Sequence, residues 1–363
     1  MFDAVDHAHM ARALALTARG RDTATPNPSV GCVIARGDRV IGEGWHERAG
    51  EPHAEARALA ACSESPSGAT AYVTLEPCSH HGRTPPCADA LVGARVARVV
   101  AALEDPNPLV KGRGAARLRE AGVRVDTGLM AEAAREAHLG FVARMSRGRP
   151  WMRIKSAASL DGRIALANGE SRWITGEAAR RDVHRLRARS CAILTGIGTV
   201  LRDDPELTVR HVPCSRQPRR VLVDSHLDLP PGAKLLRSGA PPLVATVSED
   251  AARRRRLEDA GAEVVVVPRQ GEKTDLAAVA RLLAERGFNE VTVETGAKLS
   301  GSLIAAGVVD EIVLYFAPLL LGESAQGLFA LPVFTNLAQG LRPRIVDLRS
   351  VGEELRLTAR LEG

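Results

Sequence analysis

Aromatic residues are scarce in this chain, with two Tyr, three Trp and six Phe among 363 residues. Proteins that bind single-stranded nucleic acid by stacking need aromatic platforms interleaved with a basic stripe, and the arginines here are spread along the chain instead, so no nucleic-acid partner is expected. Cysteine is sparse too. Six in a chain of this length are too few for a disulfide scaffold, which points to a reducing compartment. No apolar run reaches the length of a membrane span, and the start, Met1-Phe2-Asp3-Ala4-Val5-Asp6, lacks the basic and apolar regions of a secretory leader. A cytoplasmic protein with no membrane partner is therefore expected. Internal repeats and low-complexity tracts are absent.

Abundant Ala, Val and Leu supply the core that aromatics do not, and the length favours two domains. The net charge of +6 and pI near 9.3 suit a protein that handles phosphorylated small molecules. The one dense basic run, Arg253 to Arg256, falls in a predicted exposed helix and reads as a solvated face.

Chemistry concentrates in His53-Ala54-Glu55 and in Pro77-Cys78 followed by Cys87. One imidazole and two thiolates suit tetrahedral Zn²⁺ with a fourth position left to water. Glu55, two residues past the histidine, can handle that water's protons without ligating. This is the zinc-deaminase signature, H-x-E followed by P-C-x-x-C, except that eight residues, Ser79 to Pro86, separate the two cysteines instead of two. A closed structural knot with His80 or His81 as fourth ligand is the bland alternative. The catalytic reading is preferred because a carboxylate beside a ligand has work in proton transfer and none in a knot. The implied reaction is hydrolytic deamination of an aminopyrimidine or aminopurine. Cys32, Cys62, Cys191 and Cys214 lack metal spacing and read as core or incidental residues.

The order of elements predicts α/β architecture throughout. A helix over residues 5–19 precedes the loop Thr25-Pro26-Asn27-Pro28, and the runs Val30 to Ala35 and Arg39 to Gly44 read as a hairpin. Pro52 is placed to open a helix running to about Cys62, with His53 and Glu55 on its first turn, about 200° apart. A strand over Tyr72 to Leu75 leads into the cysteine loop, and Pro86-Cys87 reads as a helix start, whose positive end favours a thiolate. Strands at 97–103 and 123–126 bracket a helix over 114–121. Asp105-Pro106-Asn107-Pro108 forms a rigid turn at a strand's C-terminal end, where open α/β sheets bind ligands. The helical stretch Met130 to Arg149 marks the boundary, giving domains 1–146 and 147–363. Alternation resumes beyond it. Gly196-x-Gly198 and the Gly296 to Ser302 stretch each follow a strand and open a helix, a shape that cradles phosphate, although neither completes G-x-G-x-x-G.

These residues resemble a known family. Thr25 to Pro28, Gly50 to Glu55, Thr74 to Cys87 with its long spacer, and Asp105 to Pro108 are similar to the deaminase half of the bifunctional riboflavin-biosynthesis family RibD. Ser159 to Gly162, Ser171 to Thr175, Asp203 to Arg210 and Val293-Glu294 resemble its reductase half. The resemblance implies a cytidine-deaminase-like α/β/α sandwich followed by a dihydrofolate-reductase-like α/β domain. It implies deamination of 2,5-diamino-6-(5-phosphoribosylamino)pyrimidin-4-one, with Zn²⁺ on His53, Cys78 and Cys87 and with Glu55 catalytic, then reduction of the ribosyl unit to ribityl with NADPH. Substrate positions carried over to the first half are Asn27, His46, His80, Arg83, Asp105 and Asn107. Those in the second are Ser171, Arg187, Leu207, Arg210 and Glu294, with Arg187 and Arg210 able to grip a phosphate. Cofactor positions are Ala157, Trp173, Thr199, Asp203, Ser225 and the loop Gly296, Ala297, Lys298, Leu299, Ser300, Gly301 and Ser302. Beyond small molecules, the partners expected are at most further copies of the chain. A deaminase of another nucleobase joined to a degenerate reductase, and a zinc-stabilised nucleic-acid-binding protein, are the competing readings.

Overall fold

The computed structural model describes residues 1–80, 85–237 and 239–361. It divides into two compact units, Met1–Gly148 and Arg149–Gly363. Among the described residues no helix is long and apolar enough to cross a membrane.

The first unit runs α1 (Ala4–Gly20), β1 (Gly31–Arg36), β2 (Arg39–Trp45), α2 (Ala54–Ala60), β3 (Thr70–Val73), α3 (Cys87–Gly93), β4 (Arg98–Ala101), α4 (Arg113–Glu120), β5 (Arg124–Thr127), α5 (Ala131–Ala137) and α6 (Leu139–Arg147). Its sheet has the order β2-β1-β3-β4-β5, with β3, β4 and β5 parallel. Strand alternation sends Val33, Tyr72 and Val100 to one face, covered by α1, α5 and α6. Ile34, Val73 and Val99 face the other way, under α2, α3 and α4. The result is a three-layer α/β/α sandwich.

Two expectations shift. α2 begins at Ala54, so Pro52 stands outside the helix and His53 is its extended N-cap residue, not a first-turn residue. That backbone turns the imidazole toward the cysteine loop. The helix expected over Met130 to Arg149 is two helices, because His138 leaves the helical region with φ −114° and ψ 17°. Its buried ring sits 3.1 Å from the Thr74 hydroxyl, which in turn accepts from the Gly31 N–H. Burial of this ring fixes the end of β3 just ahead of the metal loop.

The second unit runs β6 (Trp151–Ser159), β7 (Arg163–Ala165), α7 (Glu177–Arg189), β8 (Ala192–Gly196), α8 (Ile197–Asp203), β9 (Arg219–Val223), β10 (Leu243–Thr246), α9 (Ala251–Asp259), β11 (Glu263–Val266), β12 (Arg269–Gln270), β13 (Lys273–Thr274), α10 (Leu276–Glu285), β14 (Glu290–Val293), α11 (Ala297–Ala305), β15 (Glu311–Ala317), β16 (Gln326–Gly327), β17 (Arg344–Val351) and β18 (Glu354–Arg360). The main sheet has the order β11-β10-β9-β8-β14-β6-β15-β18-β17. From β11 to β15 it is parallel, and β18 and β17 close it as an antiparallel hairpin. Helices α10 and α11 cover one face and α7, α8 and α9 the other, which is why strands such as Cys191 to Leu194 read as unbroken apolar runs. The loops after β6, β8, β9 and β14 gather at the C-terminal ends of neighbouring strands, the place where such sheets bind ligands.

Burial of His138, with Arg21 nearby, pushes its pKa down to about 4. The unfolded chain, with a histidine pKa of about 6.5, binds the proton first, so this group's stabilisation is present above about pH 6.5 and fades as pH falls toward 4. The contribution is about 3 kcal/mol at most. Replacement of His138 by Gln should flatten the fall in urea midpoint between pH 7 and 4.5; an unchanged slope would contradict this assignment.

Candidate active sites

In the first unit three ligand atoms converge. His53 Nδ1 lies 3.6 Å from Cys78 Sγ and 3.3 Å from Cys87 Sγ, and all three lie within 4.8 Å of one another. Tetrahedral zinc, with bonds of about 2.3 Å to sulfur and about 2.0 Å to nitrogen, separates such atoms by about 3.6 Å, so this donor set fits zinc. Local structure explains the convergence: His53 caps α2, Cys87 opens α3, and the Cys87 N–H points at Cys78 Sγ at 3.4 Å. Cys78 also accepts from the Cys87 thiol and faces His53, which hold its pKa well below that of an ordinary thiol, while the same contact and burial push Cys87 up. Two adjacent thiolates without a cation repel, and a dication removes that penalty. Among the described residues this is the one cluster with metal-ligand geometry.

Glu55 is buried in the same place. Desolvation, then the charge on Cys78, raises its pKa to about 7, which suits a group that must both take and return a proton. A cavity of about 390 Å³ opens on these groups, and Asn27, His46, His80, Asp105 and Asn107 all line it. His46 Nδ1 faces the Pro52 carbonyl at 3.3 Å, so it carries the hydrogen, and Nε2 is left to accept from the Asn27 amide at 3.0 Å. Burial, with neighbouring Glu76 and Cys78, lifts Asp105 to about 6. Arg83 lies outside the described residues.

Sequence reasoning missed Glu76. Its buried carboxylate accepts from the backbone N–H of Asp105 at 3.1 Å, Gly112 at 2.9 Å and Ala115 at 3.0 Å. It thereby ties the Asp105 turn and the start of α4 to the residue preceding Pro77-Cys78. Gly114 permits this closeness, since a Cβ there would fall 1.8 Å from the Pro77 carbonyl oxygen.

The second unit holds two cavities that share Thr199, Arg202, Thr295 and Gly296. The first, about 740 Å³, is lined by Ser171, Arg187, Leu207, Arg210 and Glu294, and also by Ala157, Trp173 and Asp203. Three of the five N–H donors of Arg187 are engaged within the protein, which leaves one on each terminal nitrogen facing a cavity that Arg187 lines. Its Nε and Nη2 donate to Glu294 at 2.6 and 2.9 Å, and its Nη1 donates to the Thr208 carbonyl at 2.9 Å. Burial alone would raise the pKa of Glu294, but Arg187 and Lys155 hold it to about 2. Arg210 keeps a half-exposed guanidinium beside Glu206. Lys155, 3.8 Å from Glu294, and His184 were not anticipated. Burial lowers the pKa of both, in the case of His184 to about 4, and the His184 Nδ1 accepts from the Arg210 N–H. A lysine within a strand otherwise buried was the available signal.

The second cavity, about 820 Å³, is lined by Ser225, Gly296, Ala297, Lys298, Leu299 and Ser302, around the N-terminus of α11. Ser300 and Gly301 do not line it: Ser300 is buried, and a Cβ on Gly301 would strike the Ala330 carbonyl. Helix periodicity turns those two residues inward. Free N–H groups at the start of α11 beside the Gly196 to Gly198 turn fit a dinucleotide pyrophosphate.

Residues 3–103 match the family described as the cytidine and deoxycytidylate deaminase zinc-binding region, and residues 150–357 match the RibD C-terminal domain. The chain is 46% identical over 362 residues to the riboflavin biosynthesis protein RibD of Escherichia coli, covering 96% of this chain and 98% of that one. It is 44% identical to the Haemophilus influenzae RibD, covering 98% of each. Acinetobacter baumannii RibD superposes with a TM-score of 0.92 at 43% identity, covering 99% of both chains. A Thermotoga maritima protein described as a diaminohydroxyphosphoribosylaminopyrimidine deaminase and 5-amino-6-(5-phosphoribosylamino)uracil reductase superposes with a TM-score of 0.87 at 31% identity, again over 99% of both. With both halves matched and near-complete coverage, the chain belongs to the RibD family.

Proposed function

We propose that residues 1–146 deaminate 2,5-diamino-6-(5-phosphoribosylamino)pyrimidin-4-one and that residues 147–363 then reduce the ribosyl side chain of the product to ribityl with NADPH. The chain is a bifunctional riboflavin-biosynthesis enzyme, a deaminase joined to a pyrimidine reductase. The observation that carries the first reaction is the His53, Cys78 and Cys87 cluster, of which His53 and Cys78 line one cavity with buried Glu55. Zinc bound there supplies a water made acidic enough to ionise near neutral pH. Glu55 takes that proton and returns it to the departing amine. Asn27, oriented by His46, together with Asp105 and Asn107 offers hydrogen bonds to the edge of a planar ring.

The second reaction rests on the adjoining cavities. NADPH supplies hydride when bound in the cavity around α11. Glu294, kept ionised by Arg187, accepts from hydroxyls of the sugar, and Lys155 holds a proton on the same wall. The phosphate falls to the half-exposed Arg210, with the remaining N–H donors of Arg187 beside it.

Replacement of Glu55 by Gln should leave about one zinc per chain while ammonia release falls at least ~100-fold; normal ammonia release from that variant would sink the role given to Glu55. Replacement of Arg210 by Ala should raise the dissociation constant of the phosphorylated pyrimidine by about 10- to 100-fold while barely changing that of NADPH. Equal weakening of both ligands would contradict the assignment.

A further inference from the structure

The rim shared by the two cavities of the second unit gives a bound dinucleotide a direction. Its reacting ring belongs with Glu294, just past the end of β14, and with Lys155, midway along the neighbouring β6. Its pyrophosphate belongs at the N-terminus of α11, beside the turn that follows β8. The adenosine half must then extend the other way, over the end of β9. There the cavity is lined by Ser225, His226, Gln270, Lys273 and Thr274. Because β14, β8 and β9 are consecutive neighbours, that end lies two strand spacings, about 10 Å, from the end of β14. This is a reach suited to the adenosine ribose.

Sites for a dinucleotide with a bare ribose place an acidic side chain at a strand end to accept from its hydroxyls. Asp224 stands in that position, directly after β9, but its carboxylate is withdrawn. It is fully buried and accepts from the N–H groups of His226 at 3.4 Å and Leu229 at 2.9 Å. No acidic residue lines this cavity among the described residues. The Ser225 hydroxyl is engaged as well. It bonds the Thr274 hydroxyl at 3.0 Å and accepts from the Thr274 N–H at 3.2 Å, which fastens the β12-β13 hairpin to the strand end. That hairpin keeps Lys273, the residue before Thr274, on the cavity wall beside His226.

We propose that Lys273 and His226 read the 2′-phosphate of the dinucleotide and so set a preference for NADPH over NADH. The inference rests on the cofactor site proposed above. A compact ammonium and an imidazole meet a phosphate well and gain nothing from a bare hydroxyl.

The test is direct binding, with no pyrimidine present. Dissociation constants of NADPH and NADH are measured by nicotinamide fluorescence on the zinc-loaded full chain, for the unaltered protein, Lys273→Met and His226→Gln. Both positions are exposed, and Met keeps the aliphatic stem of Lys273 without its charge; melting curves check that each variant is folded. The unaltered protein should bind NADPH more tightly than NADH. Lys273→Met should weaken NADPH by about tenfold and leave NADH within about twofold, with His226→Gln showing a smaller loss of the same kind. If both variants keep the NADPH to NADH ratio, or weaken both dinucleotides equally, the phosphate reading is overturned while the cofactor site stands. If the unaltered protein binds neither dinucleotide, the cofactor site itself is wrong and the proposal falls with it.

Discussion

A carboxylate withdrawn from water costs several kcal/mol unless its lone pairs are met, and each unit places one just beyond a strand end. Past β3 it is Glu76, met by three backbone N–H groups. Past β14 it is Glu294, met by Nε and Nη2 of Arg187 and faced by Lys155 at 3.8 Å. Neither can be satisfied until loops distant in sequence have come together, so each makes the geometry of its site a condition of folding. The first holds the Asp105 turn against the cysteine loop. The second fixes α7, through Arg187, beside the strand end from which the α11 loop departs.

This also accounts for what could and could not be read from the chain alone. The alternation of strands and helices was legible because buried parallel strands are apolar runs between turn residues, and the zinc ligands were legible because their residue types and spacing leave few other uses. The break at His138 was not, since nothing local distinguishes it and its cause is a hydroxyl 64 residues away. Likewise the pairing of Arg187 with Glu294, 107 residues apart, is a tertiary fact. The sequence suggests an arginine for phosphate; the fold shows that the same arginine also carries Glu294. The helix opens two residues later than expected, yet that shift separates a helical His53 from a cap with extended backbone, and the ring direction depends on it.

The cofactor end of the second unit follows the same logic of commitment. Where Asp224 and Ser225 are taken up by their own turn and hairpin, the groups left facing the cavity include Lys273 and His226 and no carboxylate among the described residues. Ligand preference then follows from which polar groups the fold has already used as much as from which it displays.

The central claim is that one chain performs two reactions in a set order, deamination before reduction. The measurement that tests it most directly follows ammonia release and NADPH oxidation together on the purified, zinc-loaded protein, starting from the diaminopyrimidine ribotide. The account predicts that both proceed and that NADPH is consumed only after ammonia has appeared. NADPH oxidation without prior ammonia, or ammonia with no NADPH oxidation at all, would contradict it.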